Sequence, residues 1–145
     1  MEEKIIVIGG GGHAKVVISL LKKTNKFTIV GFIDTEKKEN ILGTDYLGDD
    51  SILKEQYEKG IDNCALGIGQ IKSSSLRQKI VEKLTIVGYS FPTIISPTAI
   101  INENVEIGEG TVIMDGVIIN SGSKIGNYSI INTAVPLRKY LSKNI

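Results

Sequence analysis

Cysteine, histidine, surplus charge and long apolar runs are all scarce in this sequence, and each scarcity excludes something. The one cysteine, Cys64, leaves no intramolecular disulfide and no multi-cysteine metal site, and makes a reducing, intracellular setting the expectation. Lysine and arginine total 17 against 16 aspartates and glutamates, a net charge of +1. Without a positive surplus there is no field to gather nucleic acid or an anionic membrane. No apolar run approaches the roughly 18 residues of a membrane span. The first run, Ile5 to Ile8, is too short for a signal-peptide core and leads into glycines rather than a cleavage site. A cytoplasmic protein with no nucleic-acid and no membrane partner is the expectation. The single histidine, His13, has no clustered Cys or His beside it, so no metal site is expected.

What is present is a soluble globular composition, 41% hydrophobic and 23% charged over 145 residues. That length suits one ordinary domain, or a small domain with a short addition, since domains usually run about 100 to 150 residues. From Lys4 to Lys83, short β-branched runs alternate with amphipathic segments, the form of βαβ units on a parallel sheet. Ile5 to Ile8 reads as a buried strand. Ala14 to Lys23 reads as a helix with Val17, Leu20 and Leu21 on one face and Lys22 and Lys23 at the negative end of its dipole. Phe27 to Ile33 gives a second strand, ending at Asp34. Tyr46 to Ser51 reads as a loop capping a helix that begins near Ile52, and Ala65 to Ile68 as a third strand. Leu76, Ile80 and Leu84 then form one helical stripe.

At Pro92 the pattern changes. From Ile95 the chain divides into hexads that open with Ile95, Ile101, Ile107, Ile113, Ile119, Ile125 and Ile131. The fifth place holds only small or β-branched residues, Ala99, Val105, Thr111, Val117, Ser123, Ser129 and Val135. Such a period implies a parallel β-helix in which each hexad makes one face of a triangular coil, with Ile95, Ile113 and Ile131 stacked inside. Antiparallel hairpins, the alternative, would carry period-two alternation and longer, variable turns. Tyr128 reads as an outward turn residue and Cys64 as core filler.

Between the first strand and its helix lies Gly9-Gly10-Gly11-Gly12-His13-Ala14, a G-x-G-x-x-A run in the position of a dinucleotide fingerprint, with Asp34 closing the next strand. Residues without side chains let phosphate oxygens approach the backbone, the helix N-terminus offers N–H donors, and the carboxylate can accept from ribose hydroxyls. The plainer reading is a tight structural turn. His13 either bonds a ligand phosphate or sugar hydroxyl or caps the helix. Gly67 and Gly69, ending the third strand at the same sheet edge, are either second-loop contacts or glycines of close packing.

The combination of IVIGGGGHAKVV, VGFID, LGIGQ and IISPTAIINENVEIGEGTVI resembles the bacterial sugar O/N-acyltransferases that acetylate nucleotide-linked or sialic-type sugars for surface glycans. The resemblance runs from Lys4 to Thr133. It implies a Rossmann-like α/β domain over residues 1–91 that binds a nucleotide-activated amino sugar. It further implies a short left-handed parallel β-helix of about two coils over 92–136, acetyl-CoA as donor, and a homo-oligomer, a trimer in the family. Carried over, the sugar-nucleotide contacts are Gly11, Gly12, His13, Asp34 and Gly69; Gly9 of the glycine run and Gly67 of the strand end complete the expected substrate-binding set.

Four departures stand out. Gln70 replaces the usual asparagine, and more residues separate Gly69 from Arg77 than the family pattern has. The family's general-base histidine, which takes the proton of the attacking amine or hydroxyl, has its place on Lys139, a poor base near neutral pH. Residues 137–145 read as a divergent tail, with Leu137 to Leu141 expected to cover the last coil or to join subunits. The expectation is a C-terminally truncated acetyltransferase homologue that keeps the sugar-nucleotide site, has no catalytic residue and has an incomplete acetyl-CoA site. A nucleotide- or NAD-type binding domain and a still active acetyltransferase are the alternatives.

Overall fold

The computed structural model describes residues 3–69 and 74–133. The chain forms two compact units, Met1–Pro92 and Thr93–Ile145.

In the first unit, β1 (Glu3–Ile8), β2 (Phe27–Ile33), β3 (Tyr46–Gly48) and β4 (Asn63–Leu66) make one sheet in the order β3-β2-β1-β4. Every pairing is parallel. Ile5, Ile6, Val7 and Ile8 are all buried, so both faces of the central strand are covered, which is why its sequence is an unbroken apolar run rather than an alternation. Helix α1 (Gly12–Thr24) buries Ala14, Val17, Ile18, Leu20 and Leu21 and ends at Asn25, whose φ of 55° stops it. Lys22 and Lys23 lie in its last turn.

The short helix α2 (Leu53–Glu58) follows a 3-10 turn, Asp50–Ile52, whose start is capped by Asp49: Ser51 N–H donates to Asp49 Oδ1 at 2.9 Å. Helix α3 (Ser74–Val87) packs against α2.

Two expectations need correction. Tyr46 to Gly48 is a strand rather than part of a loop. Phe32 N–H donates to Asp45 O and Asp34 N–H to Gly48 O, which extends the sheet to an edge too short to show a period. The last strand runs Asn63–Leu66 rather than Ala65 to Ile68, because Ile5 to Ile8 pair with Asn63 to Leu66 and the chain leaves the sheet at Gly67.

In the second unit, two-residue strands recur every six residues: β5 (Ile94–Ile95), β6 (Ile100–Ile101), β7 (Glu106–Ile107), β8 (Val112–Ile113), β9 (Ile118–Ile119), β10 (Lys124–Ile125) and β11 (Ile130–Ile131). They form parallel ladders β5-β8-β11, β6-β9 and β7-β10, the arrangement of a parallel β-helix. Ile95, Ile113 and Ile131 stand in register, as the hexads predict. In the middle of the stack Thr111, Ile113, Val117 and Ile119 are buried, while Thr93, Ile95, Ala99, Ile101, Ser129 and Ile131 in the neighbouring coils are half-buried. Corners are taken by Asn104, Gly110, Gly116, Gly122 and Tyr128, all at positive φ and all six residues apart. Tyr128 also donates its hydroxyl to Glu109 Oε1 at 2.9 Å. The tail, including Leu137 to Leu141 and Lys139, lies outside the described residues.

Candidate functional site

Parallel strands end together, so the loops that follow them meet at one edge of the sheet. Here Gly9 N–H donates to Ile33 O at 2.8 Å, Gly67 N–H to Ile8 O at 2.7 Å and Asp34 N–H to Gly48 O at 3.1 Å, which ties the ends of β1, β2, β3 and β4 side by side. Above them opens a cavity of about 590 Å³. The strand ends contribute Gly9 to His13, Asp34 and Thr35, and Gly67 to Gly69. The 3-10 turn and α2 contribute Asp50 and Leu53, and α3 contributes Leu76, Ile80, Lys83 and Leu84. All seven residues singled out in the sequence, Gly9, Gly11, Gly12, His13, Asp34, Gly67 and Gly69, line this one cavity.

The glycine loop is fixed in place by Asp34. Its Oδ2 accepts from Gly10 N–H at 2.9 Å, its Oδ1 accepts from the Thr35 hydroxyl at 3.2 Å, and Lys38 Nζ lies 3.9 Å from Oδ2. A Cβ on Gly10 would stand 2.7 Å from Phe32 Cε2 and 2.9 Å from that same Oδ2, so the close approach needs glycine. Gly11 and Gly12 differ: a Cβ on either meets open space. Gly11 is the N-cap of α1 and offers no side-chain cap, which leaves the helix entrance open toward the cavity. Gly67 is packed close, since an added Cβ would lie 2.9 Å from both Val7 Cγ1 and Ala14 Cβ.

The imidazole of His13 has a buried Nε2 with no hydrogen-bond partner among the described residues. Burial holds its pKa below the usual value, and the positive charge of Arg77 lowers it further, so the ring is neutral near pH 7. Arg77 itself is buried, and its Nε–H donates to Ile68 O at 3.1 Å, which hooks α3 onto the second loop. The spacing of Arg77 from Gly69 departs from the family pattern; in the structure it does not line the cavity but reaches the wall residue Ile68 and acts on His13 through its charge.

Burial pushes the Cys64 thiol pKa well up, so this buried side chain stays a neutral thiol. Among the described residues no group of three or more His, Cys, Asp and Glu is placed to hold a metal ion, and no helix is long and apolar enough to cross a membrane.

The family model described as the PglD N-terminal domain matches residues 4–84. UDP-N-acetylbacillosamine N-acetyltransferase of Bacillus subtilis is 32% identical over 113 residues, which cover 77% of this chain and 51% of that protein. PerB of Caulobacter crescentus, solved with CoA and GDP-perosamine, is 38% identical with a TM-score of 0.81, over 90% of this chain and 60% of that one. The acetyltransferase domain of PglB from Neisseria gonorrhoeae, also solved with acetyl coenzyme A, is 28% identical with a TM-score of 0.81, over 92% of this chain and 63% of that one. The chain thus spans about half the length of the curated relative and about three-fifths of the solved ones.

Proposed function

The chain belongs to the sugar acyltransferase family that carries the PglD N-terminal domain, and on that premise we propose that its cavity binds a nucleotide-activated amino sugar. The observation that carries this reading is the convergence of Gly9 to His13, Asp34 and Gly67 to Gly69 on one cavity at the carboxyl ends of the strands. In it the diphosphate lies at the entrance of α1, against Gly11 and Gly12, where backbone N–H donors and the positive end of the helix dipole meet it. Neutral His13 donates to or accepts from a phosphate or sugar oxygen through Nε2. Asp34 retains lone pairs for a ribose hydroxyl beyond those that hold Gly10. Gly9, Gly67 and Gly69 complete the wall.

The second unit is read as a left-handed β-helix of about two coils. Acetyl-CoA is the donor that the solved relatives point to. Among the described residues 93–133 the one cation is Lys124, 3.8 Å from Glu106. Accordingly, the reading is a nucleotide-sugar-binding homologue without acetyl transfer of its own, cytoplasmic and assembled as a homo-oligomer. Exposed Ile100 and Ile118, partners in one ladder, support the assembly.

Titration calorimetry with UDP- and GDP-amino sugars tests the reading. Binding is expected for the wild type and lost in Gly12→Val, whose side chain enters open space and so leaves the fold intact. Release of free CoA from acetyl-CoA in the presence of the amino sugar would overturn the claim of inactivity, and retained binding in Gly12→Val would overturn the placement of the diphosphate.

A further inference from the structure

Two charged side chains in the cavity wall take no part in the glycine-loop apparatus. Asp50 opens the 3-10 turn after β3, and Lys83 lies in α3, which follows β4. These two strands are the opposite edges of the sheet, with β2 and β1 between them. Lys83 Nζ nonetheless donates to Asp50 Oδ2, so the pair ties the 3-10 turn to α3 in the wall of the cavity that both residues help to line. The side chains remain 61% and 55% exposed, and an ion pair so well solvated contributes little to stability.

The same cavity has aliphatic wall from Ile8, Ile33, Leu53, Ile80 and Leu84. With strands about 4.8 Å apart, the end of β3 stands roughly 10 Å across the sheet from the end of β1, where the glycine loop begins. A ligand anchored by its diphosphate at the loop reaches across one ribose into the aliphatic slot. A flat heteroaromatic ring fits such walls, and its polar edge then meets one ammonium donor and one carboxylate acceptor.

We infer that Asp50 and Lys83 read the edge of the nucleobase and favour an oxo base, uracil, thymine or guanine; this rests on the nucleotide-sugar reading of the same cavity. The ammonium donates to a ring carbonyl oxygen while the carboxylate accepts from the adjacent ring N–H. That N–H, flanked by a carbonyl, is a more acidic donor than the exocyclic amino group of adenine or cytosine, and it makes the stronger charge-assisted hydrogen bond. One solvated ion pair opens, two charge-assisted bonds to the base form, and no proton changes hands.

Calorimetric titration of UDP, GDP, ADP and CDP into the wild type, Asp50→Asn and Lys83→Met tests this. The wild type is expected to hold UDP or GDP in preference to ADP and CDP. Each substitution should weaken the preferred nucleotide by about tenfold and erase the preference, in line with the loss of one paired contact to a base edge. Because both side chains are largely solvent-exposed, the variants should melt as the wild type does. Equal losses for all four nucleotides would make the pair a phosphate contact and overturn the inference, and so would unchanged binding in both variants. A wild type that binds no nucleotide would instead overturn the reading of the cavity itself.

Discussion

At Gly10 one methyl group decides whether the loop can close. The Phe32 ring edge and Asp34 Oδ2 occupy the space a Cβ would need, so Gly10→Ala must push the carboxylate away from the N–H it accepts from. We expect a loss of about 1–3 kcal/mol in urea unfolding from overpacking, together with weakened nucleotide binding; an unchanged midpoint would mean that the loop yields freely. His13 sets a pH dependence whose sign follows from its pKa, which folding lowers below the ordinary 6.5. Between the folded and unfolded values the unfolded chain binds more protons, so the stability that neutral His13 contributes is whole above about pH 6.5 and is lost as pH falls toward the folded value. Melting temperatures measured from pH 7.5 down to 5 should fall more steeply for the wild type than for His13→Gln. Of these residues, the glycines, His13 and Asp34 were legible because a strand–glycine–helix motif fixes their places by sequence alone. Arg77 was not, since what ties it to the cavity wall behind His13 is a hydrogen bond to the Ile68 carbonyl, a backbone group that leaves no trace in residue type. Asp50 and Lys83 were equally hidden, being ordinary surface charges 33 residues apart until α2 and α3 pack together.

Among the elements, legibility follows repetition and length. Strands β1 and β2 and helix α1 emerged from the apolar pattern, whereas β3, three residues long, depends on β2 as a template and shows no pattern of its own. The hexads were the clearest signal because each repeat restates the same geometric demand. The demand at the corners is a left-handed residue, and Gly116 meets it at φ 70° with open space around its Cβ position. Substitution there is a clean measure of backbone strain, with no packing contribution. Gly116→Ala is expected to cost about 1–2 kcal/mol, and Gly116→Asn less, since asparagine tolerates the left-handed region. Unfolding monitored in both variants checks the order, and equal losses would point to a clash rather than to the backbone.

Because the molecule divides at Pro92, each unit has its own set of internal contacts, and ligand binding should register in the first alone. A ligand that binds only the folded form stabilises it by about 2.7 kcal/mol at a hundred times its dissociation constant. On the proposed reading that stabilisation enters at the ends of β1, β2 and β4, where the glycine loop, Asp34 and Gly67 to Gly69 line the cavity. Hydrogen exchange with and without the preferred nucleoside diphosphate should therefore show slower exchange in residues 8–15, 33–35 and 66–69. The three ladders of the β-helix should exchange at an unchanged rate, since their backbone bonds run from coil to coil, as from Met114 N–H to Ile131 O and from Ile100 N–H to Val117 O. Protection that spreads to these ladders would mean that the two units open as one cooperative body, and the nucleotide would then act on the β-helix through the fold rather than by touching it.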